Sequence, residues 1–449
     1  MRTHQRLVGV VYAIIAVTLV GLIVLWPDTS GLDLPDQELE PLIDGEIVAL
    51  EFFEGEPNEM LGLSGEMVRL QVELHSGPDA DQTVTIEATT EGYPDFQLGD
   101  QVKLARSEIP DAGVEYYVTD FQRLPTLFVL GAIFVLAVVA ISRWHGLRAL
   151  LGLAISLGIV TQFIVPGIIT GESPFAVAMV GAVAVMLVTL YLAHGVNEMT
   201  TSAVVGTTAA LALTVLLASV FIEFGKLTGF SSEEATLARF AVEGLDLKGL
   251  VLAGLIIGAL GVLDDVTVSQ ASTVFALNAA NPGQTWGELF RRAMTVGRDH
   301  IASTVNTLFL AYAGASLALL LLFSTGGLSP GEILNSEVLA EEIIKTVVGS
   351  LGLISAVPFT TLLAASVAVR MPPGRRVGGH VHAHTAGSLP GSAGAGGRTP
   401  LAPPDDPFGD VPDDELGDDD RAYRSWVRYL REGGAGRDAP PPPEPPDTD

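Results

Sequence analysis

The chain of 449 residues contains no cysteine and few charged residues. Without cysteine, the chain cannot have disulfides, thiolate metal sites, iron–sulfur clusters or cysteine nucleophiles. Charged residues make up 17% of the sequence, whereas about 25% is usual in soluble globular domains. Apolar residues make up 48%, and the mean hydropathy is +0.43. Long stretches therefore carry no charge, which is typical of a membrane protein and excludes a purely soluble enzyme.

The sequence also lacks the short motifs of several enzyme classes. It has no P-loop, no H-E-x-x-H, no G-x-S-x-G and no G-x-G-x-x-G before a helix. An ATP-driven pump is therefore unsupported, and we expect no enzymatic activity and no cofactor. An intramembrane aspartyl protease needs two acids from different spans, but the residues around the acids of this chain do not resemble such enzymes.

Basic residues are few, with 24 Lys and Arg against 52 Asp and Glu, and the net charge is −28. Residues 27–123 alone hold 23 acidic and four basic residues. Such a surface repels nucleic acid and anionic lipid, so we expect no nucleic acid partner. An acidic surface of this kind usually indicates only that the domain is soluble and well solvated.

The first apolar run extends from Leu7 to Trp26 and follows the basic residues Arg2 and Arg6. A cleaved signal peptide is one interpretation. The length of nearly 20 residues and the absence of an A-x-A site before Pro27 favour an uncleaved signal anchor. Residues 1–26 are therefore predicted to form a transmembrane span.

Residues 27–123 alternate apolar and polar side chains, as in Val68–Leu74, Val84–Ala88 and Val102–Leu104. This period of two is typical of half-buried strands. Four or five strands in under 100 residues predict a small barrel or sandwich, with an OB-like barrel as one alternative.

Seven further apolar stretches predict a transmembrane bundle over residues 124–369, and with the first run they make about eight spans. The predicted stretches are 124–142, 147–165, 174–193, 200–222, 249–271, 302–323 and 343–369. With the N-terminus inside, ten Lys and Arg near the span ends lie inside and four lie outside. The fold class is thus a polytopic α-helical protein of the cytoplasmic membrane, with both termini cytoplasmic and the β-rich domain 27–123 outside.

Residues 370–449 are rich in Gly, Ala, Pro and Asp and are predicted to form a disordered cytoplasmic tail. His380, His382 and His384 follow an H-x-H-x-H pattern there. Such a tract is a weak candidate for a divalent metal site, and an unliganded, solvated tract is the alternative.

The sixth predicted span carries an acid pair, Asp264 and Asp265. At 100° per residue, small and polar residues share one stripe: Gly254, Gly258, Gly261, Asp265, Ser269 and Ser272. Small residues allow a neighbouring helix to approach closely. We therefore expect the stripe to pack against a neighbour, with Asp265 the more important acid. The alternative is that the helix ends near Leu263 and the acids cap the next helix among the headgroups.

The seventh span offers matching polar residues. Asp299, Ser303 and Asn306 lie on one helical face, and His300 lies on an adjoining face. Acids within a span are functional candidates by default, so both spans together predict a cation or proton site. The alternative is that Asp299 caps the helix and Asn306 forms an interhelical hydrogen bond.

The runs GALGVLDDVTVSQAS (258–272) and RRAMTVGRDHIASTVNTLFLAYAGAS (291–316) resemble the YibE/F-like family of bacterial polytopic membrane proteins. The resemblance covers about 124–370 and implies a multi-span fold in which Asp264 and Asp265 are prominent; it implies no activity.

Two functions stay open. One is an ion or small-solute transporter or channel component. The other is an envelope scaffold that presents its outer domain to an extracytoplasmic partner. A homo-oligomer is a further expectation.

Overall fold

The computed structural model describes residues 2–28, 41–54, 66–89, 95–109, 113–327 and 329–371, together with six separate positions between 412 and 428. The chain divides into two units, Met1–Ala383 and His384–Asp449, and every element named below belongs to the first. Most of the predicted tail, with His380, His382 and His384, lies outside the described residues.

Five antiparallel strands form one sheet in the N-terminal part of the chain. They are β1 (Ile43–Glu54), β2 (Glu66–Leu74), β3 (Thr83–Thr89), β4 (Gln101–Ile109) and β5 (Gly113–Phe121). The order in the sheet is β3-β2-β1-β4-β5, and the edge strands β3 and β5 approach each other. The sheet therefore curls towards closure, as in the small barrels that the sequence predicts.

Alternating apolar residues supply the core of this sheet. Val68, Leu70, Val72 and Leu74 of β2 are fully buried and pack with residues of β1 and β4. The predicted strands at 68–74, 84–88 and 102–104 are confirmed. The central strand β1 is not predicted by the alternation. Its register shifts between Ile47 and Ala49, and such a bulge interrupts the pattern that marks a strand.

Eleven α-helices are described: α1 (Arg2–Val24), α2 (Leu124–Ile159), α3 (Val165–Ile169), α4 (Pro174–His194), α5 (Glu198–Phe224), α6 (Glu233–Ala241), α7 (Leu247–Ala280), α8 (Trp286–Ala315), α9 (Leu317–Thr325), α10 (Pro330–Asn335) and α11 (Glu337–Ala368). A π-helical turn, Val160–Ile164, joins α2 to α3. Six of the described segments are long and apolar enough to cross a membrane, and α8 with α9, bent by 58°, makes a seventh.

The structure has fewer candidate spans than the predicted eight because two of them, 124–142 and 147–165, fall in one helical segment of 46 residues, Leu124–Ile169. A loop is expected at the four residues between them. Instead, only Arg143 leaves the helical conformation, with φ 50° and ψ −128°.

Helices α5, α7 and α11 pack on one another at the centre of the bundle, and α4 and α8 flank α7. The ends of these helices are set by capping residues. Asn197 caps α5, Asp246 caps α7, and Thr285 with Glu288 forms a capping box at α8. A break at Asn281–Gly283 separates α7 from α8.

Helices α5 and α11 cross with reciprocal glycine–threonine contacts. A Cβ on Gly206 would lie 2.2 Å from Thr360 Oγ1, and a Cβ on Gly352 would lie 2.0 Å from Thr214 Oγ1. Only glycine leaves room for the threonine of the opposite helix at these two points. Helix α7 packs against both members of this closely spaced pair.

Candidate functional site

Asp264 lies between α7 and α4, inside the helical bundle. Its Oδ2 accepts a hydrogen bond of 2.9 Å from Thr189 Oγ1. Its Oδ1 is buried and has no hydrogen-bond partner among the described residues. One oxygen of this carboxylate is therefore bonded to α4. The other oxygen is available to a ligand that donates a hydrogen bond, or to a cation that binds oxygen atoms.

Two more polar residues follow Asp264 along α7. Thr267 Oγ1 lies 2.6 Å from Thr207 Oγ1 of α5. Gln270 Nε2 donates to Thr361 Oγ1 of α11 at 2.6 Å and to the carbonyl of Ala293 on α8 at 3.1 Å. We call Asp264, Thr267 and Gln270 the α7 polar row. Successive members contact different neighbours because positions three residues apart are rotated by about 60°.

Gly297 of α8 makes room for the last member of this row. A Cβ on Gly297 would lie 2.5 Å from Val357 Cγ1 and 3.0 Å from Gln270 Oε1. Helix α8 therefore approaches α11 closely at Gly297, and Gln270 fills the space between the two helices.

Asp265 and the glycine stripe face away from the bundle. A Cβ added to Gly254 or Gly261 would have no atom within 4 Å, and one added to Gly258 would meet only Tyr312 Oη, at 3.7 Å. The expectation that this stripe packs against a neighbouring helix is wrong within the described part of the chain. The opposite face of α7 is buried instead, because its larger side chains, such as Ile256, Leu260 and Leu263, bury more apolar surface.

The packing of the two acids is thus the reverse of the one expected. Asp264 is bonded inside the bundle and Asp265 is exposed. The helix-cap alternative for the pair is also wrong, since α7 continues from Leu247 to Ala280 without ending near Leu263.

The α8 candidates also lie mainly on an outward face. Asp299, Ser303 and Asn306 are exposed, whereas His300 is half-buried, and its Nε2 has no partner among the described residues. Asp299 is not a helix cap, because α8 begins at Trp286 and is capped by Thr285.

Two α7 candidates remain. Ser269 is exposed and donates to the carbonyl of Val266 on its own helix, while Ser272 is half-buried. The structure therefore does not bring the eight predicted residues together. It places Asp264 inside the bundle and most of the others outside.

The sequence does not predict that Thr267 and Gln270 contact other helices. The sequence around their hydrogen-bond partners does carry a signal for these contacts. Thr207-Thr208 and Thr360-Thr361 are polar pairs within stretches of two spans that carry no charge. Polar pairs at the centre of uncharged spans indicate helix faces that bond to other helices.

A separate charged cluster lies near the start of α11. Lys345 Nζ contacts Glu341 at 2.6 Å and Glu342 at 3.1 Å, and Glu341 also accepts a hydrogen bond from Ser231. Lys345 borders a narrow cavity between α7, α8 and α11, which Gly258 and Tyr312 also line. No group of three or more His, Asp or Glu able to hold a metal occurs in the described ranges.

These features define a multi-span membrane protein whose central helix carries polar side chains through an apolar bundle. The chain belongs to the YibE/F-like protein family, whose model matches residues 130–370. The matched region runs from within α2 to the residues after α11, so it contains the whole α7 polar row. No curated protein and no solved structure matches the chain.

Proposed function

We propose that this protein carries an ion or small solute across the cytoplasmic membrane, as a transporter or channel component, and that Asp264 binds the cation that is its cargo or coupling ion. One observation carries the proposal: Asp264 offers a buried carboxylate oxygen that has no partner among the described residues of the bundle. Intramembrane acids normally face the protein interior or a water-filled path and mark ion or proton routes.

The position of Thr189 supports an intramembrane depth for this site. Helix α4 has 21 residues, so its length is about 31 Å, which matches the ~30 Å hydrocarbon core. Thr189 lies five residues before the end of α4 at His194, or about 7.5 Å along the helix axis. This depth favours a position of the Asp264 carboxylate within the membrane rather than among the headgroups.

The rest of the α7 polar row supports a route towards one membrane surface. Thr267 and Gln270 follow Asp264 in the direction of the α7 C-terminus, and each contacts a polar group on another helix. Hydroxyl and amide oxygens can replace part of the hydration shell of a cation. The proposal rests on Asp264 and this row, because Asp265 faces away from the bundle.

We also propose that the segment Leu124–Ile169 crosses the membrane twice. Its 46 residues are about 69 Å long when fully helical, roughly twice the hydrocarbon core. The irregular backbone at Arg143 divides it into arms that each match one crossing. The total is then eight spans, with both termini in the cytoplasm and the sheet of β1–β5 outside.

An envelope scaffold is the second candidate function. The five-stranded sheet has its own apolar core, and residues 27–123 are strongly acidic. Such a domain suits a partner with a basic surface outside the cytoplasm. We propose no enzymatic activity, since no catalytic motif is present in the sequence.

Flux through purified protein in liposomes separates these functions. Proteoliposomes with a trapped pH dye or a voltage dye are exposed in turn to gradients of H⁺, Na⁺, K⁺ and Mg²⁺. We expect one cation to enter faster than in empty liposomes, and Asp264→Asn to abolish that flux. Glu223→Gln is the matched control, because Glu223 is an exposed acid near the end of α5.

The transport proposal fails if no cation in this series moves faster than in empty liposomes. The role of Asp264 fails if a flux exists and the Asp264→Asn variant retains it. An unchanged Glu223→Gln flux is needed to assign the loss to the site rather than to the general removal of an acid.

A further inference from the structure

The outward sides of α7 and α8 carry an unusual set of polar residues for a membrane helix. We call Asp265 and Ser269 of α7 with Asp299, Ser303 and Asn306 of α8 the α7–α8 outer face, and all five are exposed. The α7 stripe borders α8, since a Cβ on Gly258 would lie 3.7 Å from Tyr312 Oη.

The contacts between α7 and α8 fix the depth of this face. The two helices run antiparallel, with Gln270 bonded to Ala293 near one end and Gly258 beside Tyr312 near the other. Asp265 and Ser303 lie between these two contacts, at the level of the bundle. An acid and several polar groups at this level are costly against lipid, so protein or water must cover them.

The same face is suited to a close helix contact. Gly254 and Gly261 have no atom within 4 Å of an added Cβ, and with Gly258 they form an open strip of small residues on α7. Membrane helices associate where such residues let backbones approach. The strip and the polar residues lie side by side, so one partner can cover both.

Charge identifies the partner. Arg298 and Asp299 are adjacent, exposed and form no ion pair with another described residue. A twofold axis along the membrane normal keeps every residue at its own depth, so Arg298 of one copy meets the acids Asp299 and Asp265 of the other copy at nearly the same depth. Arg298, beside Asp299 on α8, and the two acids of the face together supply both charges of a self-complementary contact.

We infer that a second copy of this chain covers the α7–α8 outer face, in a twofold dimer whose axis lies along the membrane normal. The glycine strip of α7 forms the close contact of the two copies, and Arg298 pairs with the acids of the opposite copy. This inference does not depend on transport, and it goes beyond the proposed function.

A pair of matched glycine substitutions tests the interface. Gly261→Leu fills the open strip, and Gly131→Leu makes the same change on α2, where an added Cβ also meets no atom within 4 Å. The mass of each variant in lipid nanodiscs is measured by native mass spectrometry. We expect the parent and Gly131→Leu at twice the 47.1 kDa chain mass, and Gly261→Leu at the mass of one chain.

Cross-linking gives an independent measurement, because the chain has no cysteine of its own. Ser269→Cys and Ser303→Cys are placed on the face, and Leu153→Cys, on the exposed side of α2, is the control. Membranes are oxidised and analysed by denaturing electrophoresis without reductant. We expect dimer bands from at least one face variant, unchanged on dilution with lipid, and none from the control.

The inference is overturned if the parent is a monomer in nanodiscs, or if Gly261→Leu remains a dimer. It is also overturned if neither face variant cross-links more than Leu153→Cys, or if the face variants cross-link instead to a different protein. None of these results bears on whether the purified chain supports flux, so the two proposals fail separately.

Discussion

Thr189 determines the environment of Asp264, because its hydroxyl donates a hydrogen bond from α4 to that carboxylate. We predict that Thr189→Val destabilises the folded protein by about 1–3 kcal/mol, since it leaves a buried carboxylate oxygen without its donor. Thermal unfolding in detergent measures the change. Thr161→Val is the control, because that exposed hydroxyl bonds only to its own helix. Equal melting temperatures for the two variants would contradict the prediction.

The sequence identifies both acids but assigns their faces wrongly. Helical geometry alone places Asp264 and Asp265 about 100° apart, yet it does not say which side the neighbouring helices occupy. A strip of glycines is compatible with packing inside the chain and with packing between chains. The contacts of Thr267 and Gln270 depend on where α5 and α11 lie, which is a property of tertiary packing.

At the scale of helices, the crossing of α5 and α11 depends on glycine. We predict that Gly352→Ala destabilises the protein by about 1–3 kcal/mol, because the new Cβ collides with Thr214. Thr214→Ala in the same chain removes the colliding hydroxyl, so the double variant should recover part of the loss. Chemical or thermal unfolding in detergent measures all three proteins.

Gly131→Ala is the control for that series, since its Cβ meets no atom within 4 Å. There the change removes only the flexibility of glycine, and we expect a gain of up to about 1 kcal/mol. A Gly352→Ala protein as stable as Gly131→Ala would show that the two helices do not cross as closely as described.

Elements with regular patterns are predictable and irregular ones are not. Strands β2, β3 and β4 alternate cleanly, whereas the bulge of β1 hides the period of two. The helical break at Asn281–Gly283 contains Pro and Gly, which mark it in the sequence. Between the predicted stretches 124–142 and 147–165 the sequence predicts a loop. The structure has a single irregular position there, Arg143, and no Pro or Gly at that position marks it in the sequence.

At the scale of the whole molecule, the sheet is expected to fold without the helices. Ile47, Leu70, Val72 and Leu104 are fully buried within its own core. We predict that fragment 41–123 gives the circular dichroism of antiparallel strands and melts cooperatively. Leu104→Ala should cost about 2–5 kcal/mol by opening a cavity in that core. A random-coil spectrum at neutral pH would contradict the prediction.

The number of crossings by Leu124–Ile169 decides the orientation of everything after it. If it crosses twice, the basic residues Arg291 and Arg292 are cytoplasmic, in agreement with the positive-inside rule; if it crosses once, they lie outside.

The number of crossings is tested with single cysteines, which are introduced into this cysteine-free chain and labelled on intact cells with a membrane-impermeant maleimide. We predict that Glu115→Cys on β5 and Glu172→Cys before α4 label at once, and that Gly283→Cys labels only after permeabilisation. Glu115→Cys is the reference for the outer surface, and it must react before the other two are interpreted. The opposite pattern at Glu172 and Gly283 means that the 46-residue segment crosses once, and then the eight-span topology and a cytoplasmic C-terminus are both wrong.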